Sequence, residues 1–172
     1  MKAIVYVSNT GATKKYAELL GNEIKIPVFS LKDSKKKIKK ESEIIYLGWI
    51  RAGKIMGYQK ARKIYKIKAL VGIGMSETGT QIKELKEKNK VTSDTVVMSL
   101  QGWFHLEDLH GIYHGMMKMM LKTAGNELEK KENRSTSEEA MLQVMKYGKN
   151  PVCLENLKEL ISWYDKEVKK NV

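Results

Sequence analysis

Five apolar runs are spaced along the first hundred residues: AIVYV near 3–7, IPVFSL near 26–31, EIIYLGWI near 43–50, KALVGIGM near 68–75 and TVVMSL near 95–100. They are mostly unbroken rather than alternating, which suits parallel strands covered on both faces. Helix-compatible stretches lie between them, at 13–21, 34–41, 58–66 and 79–89. The alternation predicts an α/β doubly wound sheet. A last helix is predicted over 154–169, with Leu157, Leu160, Ile161, Tyr164 and Val168 on one stripe. An insert of about 103–150 separates it from the fifth run and carries helical patterns near 108–123 and 135–147. In NRSTSEEAM, Ser135 and Glu138 have capping-box spacing, with Ser137 an alternative cap. No internal repeat or flexible linker interrupts the chain, so a single domain over 1–172 is expected.

In doubly wound sheets, ligands sit beyond the carboxyl ends of the strands. SNTGAT (8–13) occupies that position after the first run and leads straight into the helical KKYAELLG. Ser8, Asn9, Thr10 and Thr13 carry short polar side chains, and Gly11 allows close backbone approach. The helix that follows offers unpaired N–H groups and the positive end of its dipole, which favour an anion. The segment therefore reads as a phosphate site. It lacks the leading glycine and the Gly-Lys-Ser/Thr triplet of a nucleotide triphosphatase loop. GIGMSETG offers Gly72, Gly74 and Gly79, the wrong spacing for a dinucleotide fingerprint.

SNTGAT resembles the Ser/Thr-x-Thr-Gly-x-Thr loop with which flavodoxins hold the phosphate of FMN. GWIRAGKIMGYQKARKI (48–64) and YHGMMKMMLKTAGNE (113–127) are similar to segments of the flavodoxin-like subfamily that includes menaquinone-dependent protoporphyrinogen oxidase. The resemblance spans essentially the whole chain and implies a five-stranded parallel sheet in the order 2-1-3-4-5. It also implies that Ser8, Asn9, Thr10, Gly11, Ala12 and Thr13 bind the FMN phosphate. Trp49, Ile50, Arg51, Ala52 and Gly53 are then expected to border the flavin ring from the third-strand loop. Gly74, Met75, Ser76, Glu77, Thr78 and Gly79 approach it from the fourth. The usual flanking aromatics are missing from GMSETG, which leaves Trp49, Trp103 and Phe104 as stacking candidates. Trp49 has a core reading as well, and Arg51 reads either as a cation near the redox edge or as a surface partner of a carboxylate.

At 172 residues and 42% hydrophobic content the chain is long enough to bury a sizeable core. Its formal net charge of +12 is carried mostly by lysine, as in KDSKKKIKK and KEVKKNV. Such a surface suits acidic proteins or anionic headgroups, or is simply a set of solvated helix faces. No aromatics interleave the lysine runs, so nucleic acid is not an expected partner. Cys153 is the only cysteine, which rules out an internal disulfide and fits a reducing cytoplasm. No apolar stretch reaches the roughly 18 residues of a membrane span, and no signal-peptide pattern opens the chain. A cytoplasmic or membrane-peripheral location is expected.

His105, His110 and His114 lie near Glu107 and Asp108, but HGIYH lacks the glutamate of a zinc-protease motif. They read as helix-face or substrate-pocket residues, with a proton donor beside the flavin as the sharper role, and no metal is expected. Tyr113, Met116, Met117, Met120 and Leu121 form a stripe flanked by Lys118 and Lys122. It serves either for packing or as a surface for a quinone, membrane or protein partner. The expected function is that of an FMN oxidoreductase transferring electrons or hydride equivalents, with an oxidase or dehydrogenase acting on protoporphyrinogen as one form. The alternative is a non-enzymatic carrier between protein partners. Expected partners are a redox protein, a quinone or small-molecule substrate, an anionic membrane surface, or a second copy of the chain. No catalytic residue is assigned.

Overall fold

The computed structural model describes residues 1–102, 119, 123, 126–136, 138, 139, 142 and 152–169. In chain order the elements are β1 (Ala3–Val7), α1 (Ala12–Ile24), β2 (Val28–Ser30), α2 (Leu31–Lys37), β3 (Glu43–Arg51), β4 (Lys54–Ile55), α3 (Tyr58–Ala61), β5 (Lys66–Gly74), α4 (Ile82–Asn89) and β6 (Val96–Gln101). They are followed by α5 (Asn126–Lys130) and a 3-10 turn (Glu155–Leu157) that runs into α6 (Lys158–Lys169). β2, β1, β3, β5 and β6 lie side by side in that order, all parallel, and β4 pairs antiparallel with the end of β3.

Each face of the sheet carries its own core. On one face Tyr16 and Leu20 of α1 and Leu160 of α6 pack with Leu157 on Ile45, Leu47, Val71 and Leu100. On the other, Leu31, Tyr58 and Leu85 from α2, α3 and α4 pack on Val5, Ile44, Tyr46 and Leu70. Because both faces are covered, successive residues of every central strand must be apolar, and the runs read as unbroken.

Several elements differ from the sequence reading. The second strand shrinks from 26–31 to Val28–Ser30. Ser30, the last residue of the strand, also caps α2, its Oγ accepting from the Asp33 N–H at 3.1 Å, so this helix starts at Leu31 rather than 34. It ends at Lys37, because Ile38 is extended. The helix expected over 58–66 stops at Ala61, and Lys66 already pairs with Glu43 as the first residue of β5. The helix expected over 79–89 begins at Ile82, since Gly79 and Gln81 both have positive φ. The β4 strand and α5 were not expected. β4 exists because Ala52 (φ 49°) and Gly53 (φ 75°) form a two-residue turn that lets Arg51 face Lys54. Paired positive φ values belong to the tight turns that match strand twist. The last helix is α-helical only from Lys158. Val168 is 38% exposed, so the apolar stripe ends at Tyr164.

Most of the insert, including Trp103, Phe104, the three histidines and the Met116–Met120 stripe, lies outside the described residues. Among those that are described, Met119 is 71% exposed. The expected capping box is present. The Glu138 N–H donates to Ser135 Oγ at 3.2 Å, and the Ser135 N–H donates to Glu138 Oε2 at 2.8 Å. Lys131 Nζ reaches both Glu138 oxygens, at 2.6 and 2.8 Å. The lysine, followed by the Ser135 N–H, pulls the Glu138 carboxyl down to about 2. The cap is therefore at full strength above the ordinary glutamate range and is lost as the pH falls towards 2. The Glu138 carboxyl carbon should titrate in NMR with a midpoint near 2, and Lys131→Ala should raise that midpoint. An ordinary midpoint in the unmodified chain would rule out this geometry.

Candidate functional site

Strand register brings the predicted loops to one edge. Val7 is level with Gly48, Trp49 with Ile73, and Gly74 with Gln101. The segments that leave β1, β3, β5 and β6 thus emerge side by side at the carboxyl end of the sheet, where doubly wound folds bind ligands.

The 8–13 segment forms the first wall. Gly11 has φ 91°, a left-handed conformation that favours glycine, and it precedes the first turn of α1. No side chain caps that helix, and its first turn holds no acidic residue but does contain Lys14 and Lys15. Lysines at a helix N-terminus oppose the dipole, so this end is electrostatically unfavourable unless an anion is nearby. Lys14 also reaches Glu18 at 3.7 Å. Ala12 and Thr13 are buried, Ser8, Thr10 and Gly11 are half-buried, and Asn9 is exposed. Among the described residues, Ser8 Oγ is the buried side-chain oxygen or nitrogen left without a hydrogen-bond partner. Buried hydroxyls are normally satisfied, so this one calls for an acceptor or donor from outside the chain. An uncapped helix start, two cations and an orphaned hydroxyl together fit a phosphate group.

The third-strand segment divides. Trp49 and Ile50 are half-buried, and Ile50 lies over the end of β5, its Cδ1 within 3.1 Å of where a Gly74 Cβ would stand. Arg51 and Ala52 are exposed at the hairpin tip. Gly53 turns toward α4, where an added Cβ would come within 2.8 Å of Glu84 Oε1. Buried Asn89 holds this hairpin: its Oδ1 accepts from the Ile55 N–H at 2.8 Å, and its Nδ2 donates to Gly53 O at 2.9 Å and Leu85 O at 2.8 Å. The structure thus brings Trp49 and Ile50 to the shared edge and sets Gly53 beside α4.

The 74–79 segment is tied to β6. The Gly79 N–H donates to Ser99 O at 2.9 Å, Ser99 Oγ donates to Thr80 O, and Gln101 Nε2 donates to Met75 O at 3.1 Å. The Gln101 N–H donates to Thr78 Oγ1 at 3.0 Å. Gly74, Met75, Ser76 and Thr78 are half-buried, while Glu77 and Gly79 are exposed.

Sequence reasoning passed over a second set of residues around this edge. Tyr16 Oη donates to Gln101 O at 2.7 Å and accepts from Asn156 Nδ2 at 2.8 Å, joining α1, β6 and the final turn. Burial raises the Tyr16 phenol to about 12, with the Asn156 contact pulling the other way. The Gly102 N–H donates to Gly74 O at 2.7 Å, and a Cβ on Gly102 would lie 3.2 Å from Ala12 Cβ. Gly57, with φ 80°, abuts Val7 and Tyr46. The signal for Gln101 and Gly102 was available, since they directly follow the fifth run. Gly57 and Asn89 carried none, because the approach of Gly57 to Val7 and the bonds of Asn89 to Ile55 and Gly53 each cross more than thirty positions of chain.

Other features lie elsewhere. An open groove of about 510 Å³ runs between the C-terminal part of α1 and α6, lined by Glu23, Leu154 and Ile161 among others. Among the described residues no group of His, Cys, Asp and Glu is placed to hold a metal, and no helix is long and apolar enough to cross a membrane.

The chain belongs to the flavodoxin domain family, whose model matches residues 3–131. It is also similar to a solved flavodoxin from the domain Archaea, at 20% identity and a TM-score of 0.40, covering 85% of this chain and 97% of the other. No curated protein matches it.

Proposed function

We propose that the protein is an FMN-binding electron carrier of the flavodoxin type, with the FMN phosphate held by residues 8–13. FMN would supply the redox chemistry. Ser8, Thr10 and the first N–H groups of α1 would take the phosphate, and Lys14 and Lys15 would balance its charge. Trp49, Ile50 and the 74–79 backbone would border the ring. The observation that carries this reading is the orphaned, buried Ser8 Oγ beside the uncapped start of α1.

The same observation yields a test in which binding and stability part company. Ser8→Ala removes a hydroxyl with no partner in the free protein, so ligand-free stability should stay level or rise by about 1 kcal/mol. Loss of a hydrogen bond to a charged group should weaken FMN by about 10- to 100-fold. Fluorescence titration with FMN and urea unfolding of the ligand-free form measure the two. Unchanged FMN affinity, or a preference for FAD over FMN in the unmodified protein, would sink the proposal.

The finer reading, an oxidase acting on protoporphyrinogen with a quinone acceptor, is supported by the likeness of 48–64 and 113–127 to that subfamily. Turnover of protoporphyrinogen by the FMN-loaded protein with a menaquinone analogue is its direct test, and no turnover leaves the carrier.

A further inference from the structure

The positive charge of this chain is not spread evenly. Residues 31–95 hold 17 of the 32 lysines and arginines but 7 of the 20 acidic residues, and so ten of the twelve net positive charges. Residues 96–172 hold 11 of each sign and are neutral overall. The 31–95 segment builds α2, α3 and α4, which cover one face of the sheet.

Tertiary contacts gather this charge further. Helices in a parallel sheet run against the strands, so the carboxyl ends of α2, α3 and α4 sit at the amino edge of the sheet. The Glu41 N–H donates to Ile64 O at 2.8 Å, and the Lys66 N–H donates to Ser42 O at 3.0 Å. Tyr65 Oη donates to Ser34 Oγ at 3.0 Å, and Arg62 Nη1 donates to Lys90 O at 3.1 Å. These bonds bring Lys35, Lys36, Lys39, Lys40, Lys63 and Lys66, all exposed, onto one continuous edge. Glu41, Glu43, Glu87 and Asp94, the last interacting with Lys68 and Tyr58, stand among them and leave a local cationic excess. Favourable interaction with the helix dipole accounts for lysines in the last turn of α2. It does not account for Lys39, Lys40, Lys63 and Lys66, which lie outside the helices.

We propose that this edge rests on an anionic lipid surface. Three features select a bilayer over other anionic partners. The patch is almost wholly lysine, a hydrated point charge suited to diffuse attraction rather than planar, bidentate recognition. Its single arginine, Arg62, is committed to the Lys90 carbonyl and to the Tyr58 ring, 5.5 Å from the centroid. Its tyrosines are buried, so there is no stacking platform for bases and no aromatic anchor for a protein interface. Geometry also fits a tether. β3, nine residues long, separates this edge from the 8–13 mouth by about 25 Å, so the mouth would face away from the lipid.

The test uses the full chain and sedimentation with phosphatidylcholine vesicles, with or without phosphatidylglycerol. Binding should require phosphatidylglycerol and be released by high salt. Lys35→Glu, Lys36→Glu, Lys39→Glu and Lys40→Glu together should weaken it at least about tenfold. Reversing Lys25, Lys158, Lys166 and Lys169 instead changes net charge equally and should cost less than about threefold. If the first variant has a lowered melting temperature, the corresponding four Lys→Gln changes are used. Binding that ignores phosphatidylglycerol, or equal losses in the two reversed variants, overturns the proposal. Tighter binding to an oligonucleotide or to polyglutamate than to the anionic vesicles overturns it as well.

Discussion

Asn89→Ala is expected to destabilise the fold by about 3–4 kcal/mol, read as a shift of the urea unfolding midpoint without a change in slope. Asn89 is 2% exposed and satisfies three backbone groups from two elements. Its loss strands the buried Ile55 N–H and deprives Gly53 O and Leu85 O of a donor. A buried donor without a partner costs about 1–3 kcal/mol, and the vacated volume adds to this. Asn89→Asp separates the causes. It keeps an acceptor for the Ile55 N–H but turns a carboxylate toward two carbonyl oxygens. Burial and those carbonyls would raise its pKa in the folded state, so the damage should grow as the pH rises above the ordinary aspartate range. A cost below about 1 kcal/mol for Asn89→Ala would mean that the hairpin is held by other contacts. Amide exchange at Ile55 should accelerate in both variants.

The second large effect is expected at Gly57. Alanine there must adopt φ 80°, and its Cβ would drive into Tyr46 Oη and stand 2.8 Å from Val7 Cγ2. Tyr46 cannot yield freely, because its Oη donates to Met56 O at 2.8 Å and burial raises its pKa well above the usual phenol range. Left-handed strain of about 1 kcal/mol and overpacking of about 1–3 kcal/mol give an expected cost of about 2–4 kcal/mol. Gly79→Ala is the matched comparison. Gly79 has φ 85° but nothing within 4 Å of an added Cβ, so it should cost only the strain, about 1 kcal/mol. The difference between the two variants, measured by thermal and urea unfolding, reports the packing alone, and equal costs would show that Val7 and Tyr46 make room. Because Val7 leads into Ser8, Gly57→Ala should also lower FMN affinity where Gly79→Ala acts less strongly.

These two residues mark where sequence reading stopped. The five parallel strands and the three long helices α1, α4 and α6 were legible, because burial on both faces writes continuous apolar runs and helical stripes into the chain. The 8–13 turn was legible for a related reason: phosphate binding by backbone needs small polar residues and a glycine at one place, between a strand and a helix. Element ends were less so. Ser30 both ends a strand and caps a helix because it meets Tyr6 on one side and the Asp33 N–H on the other, and Lys66 is a strand residue because Glu43 lies beside it.

By itself, the sequence determined the fold class, the position of the candidate phosphate loop and the sign of the charge, since each rests on residues adjacent in the chain or at helical and strand spacing. Only the tertiary structure decided the Asn89 clasp on the β4 hairpin, the approach of Gly57 to Val7, and the gathering of lysines that follow α2 and α3 onto one edge. Each of these joins residues far apart in the chain, and such contacts follow from how the packed layers meet, which no local pattern of side chains encodes.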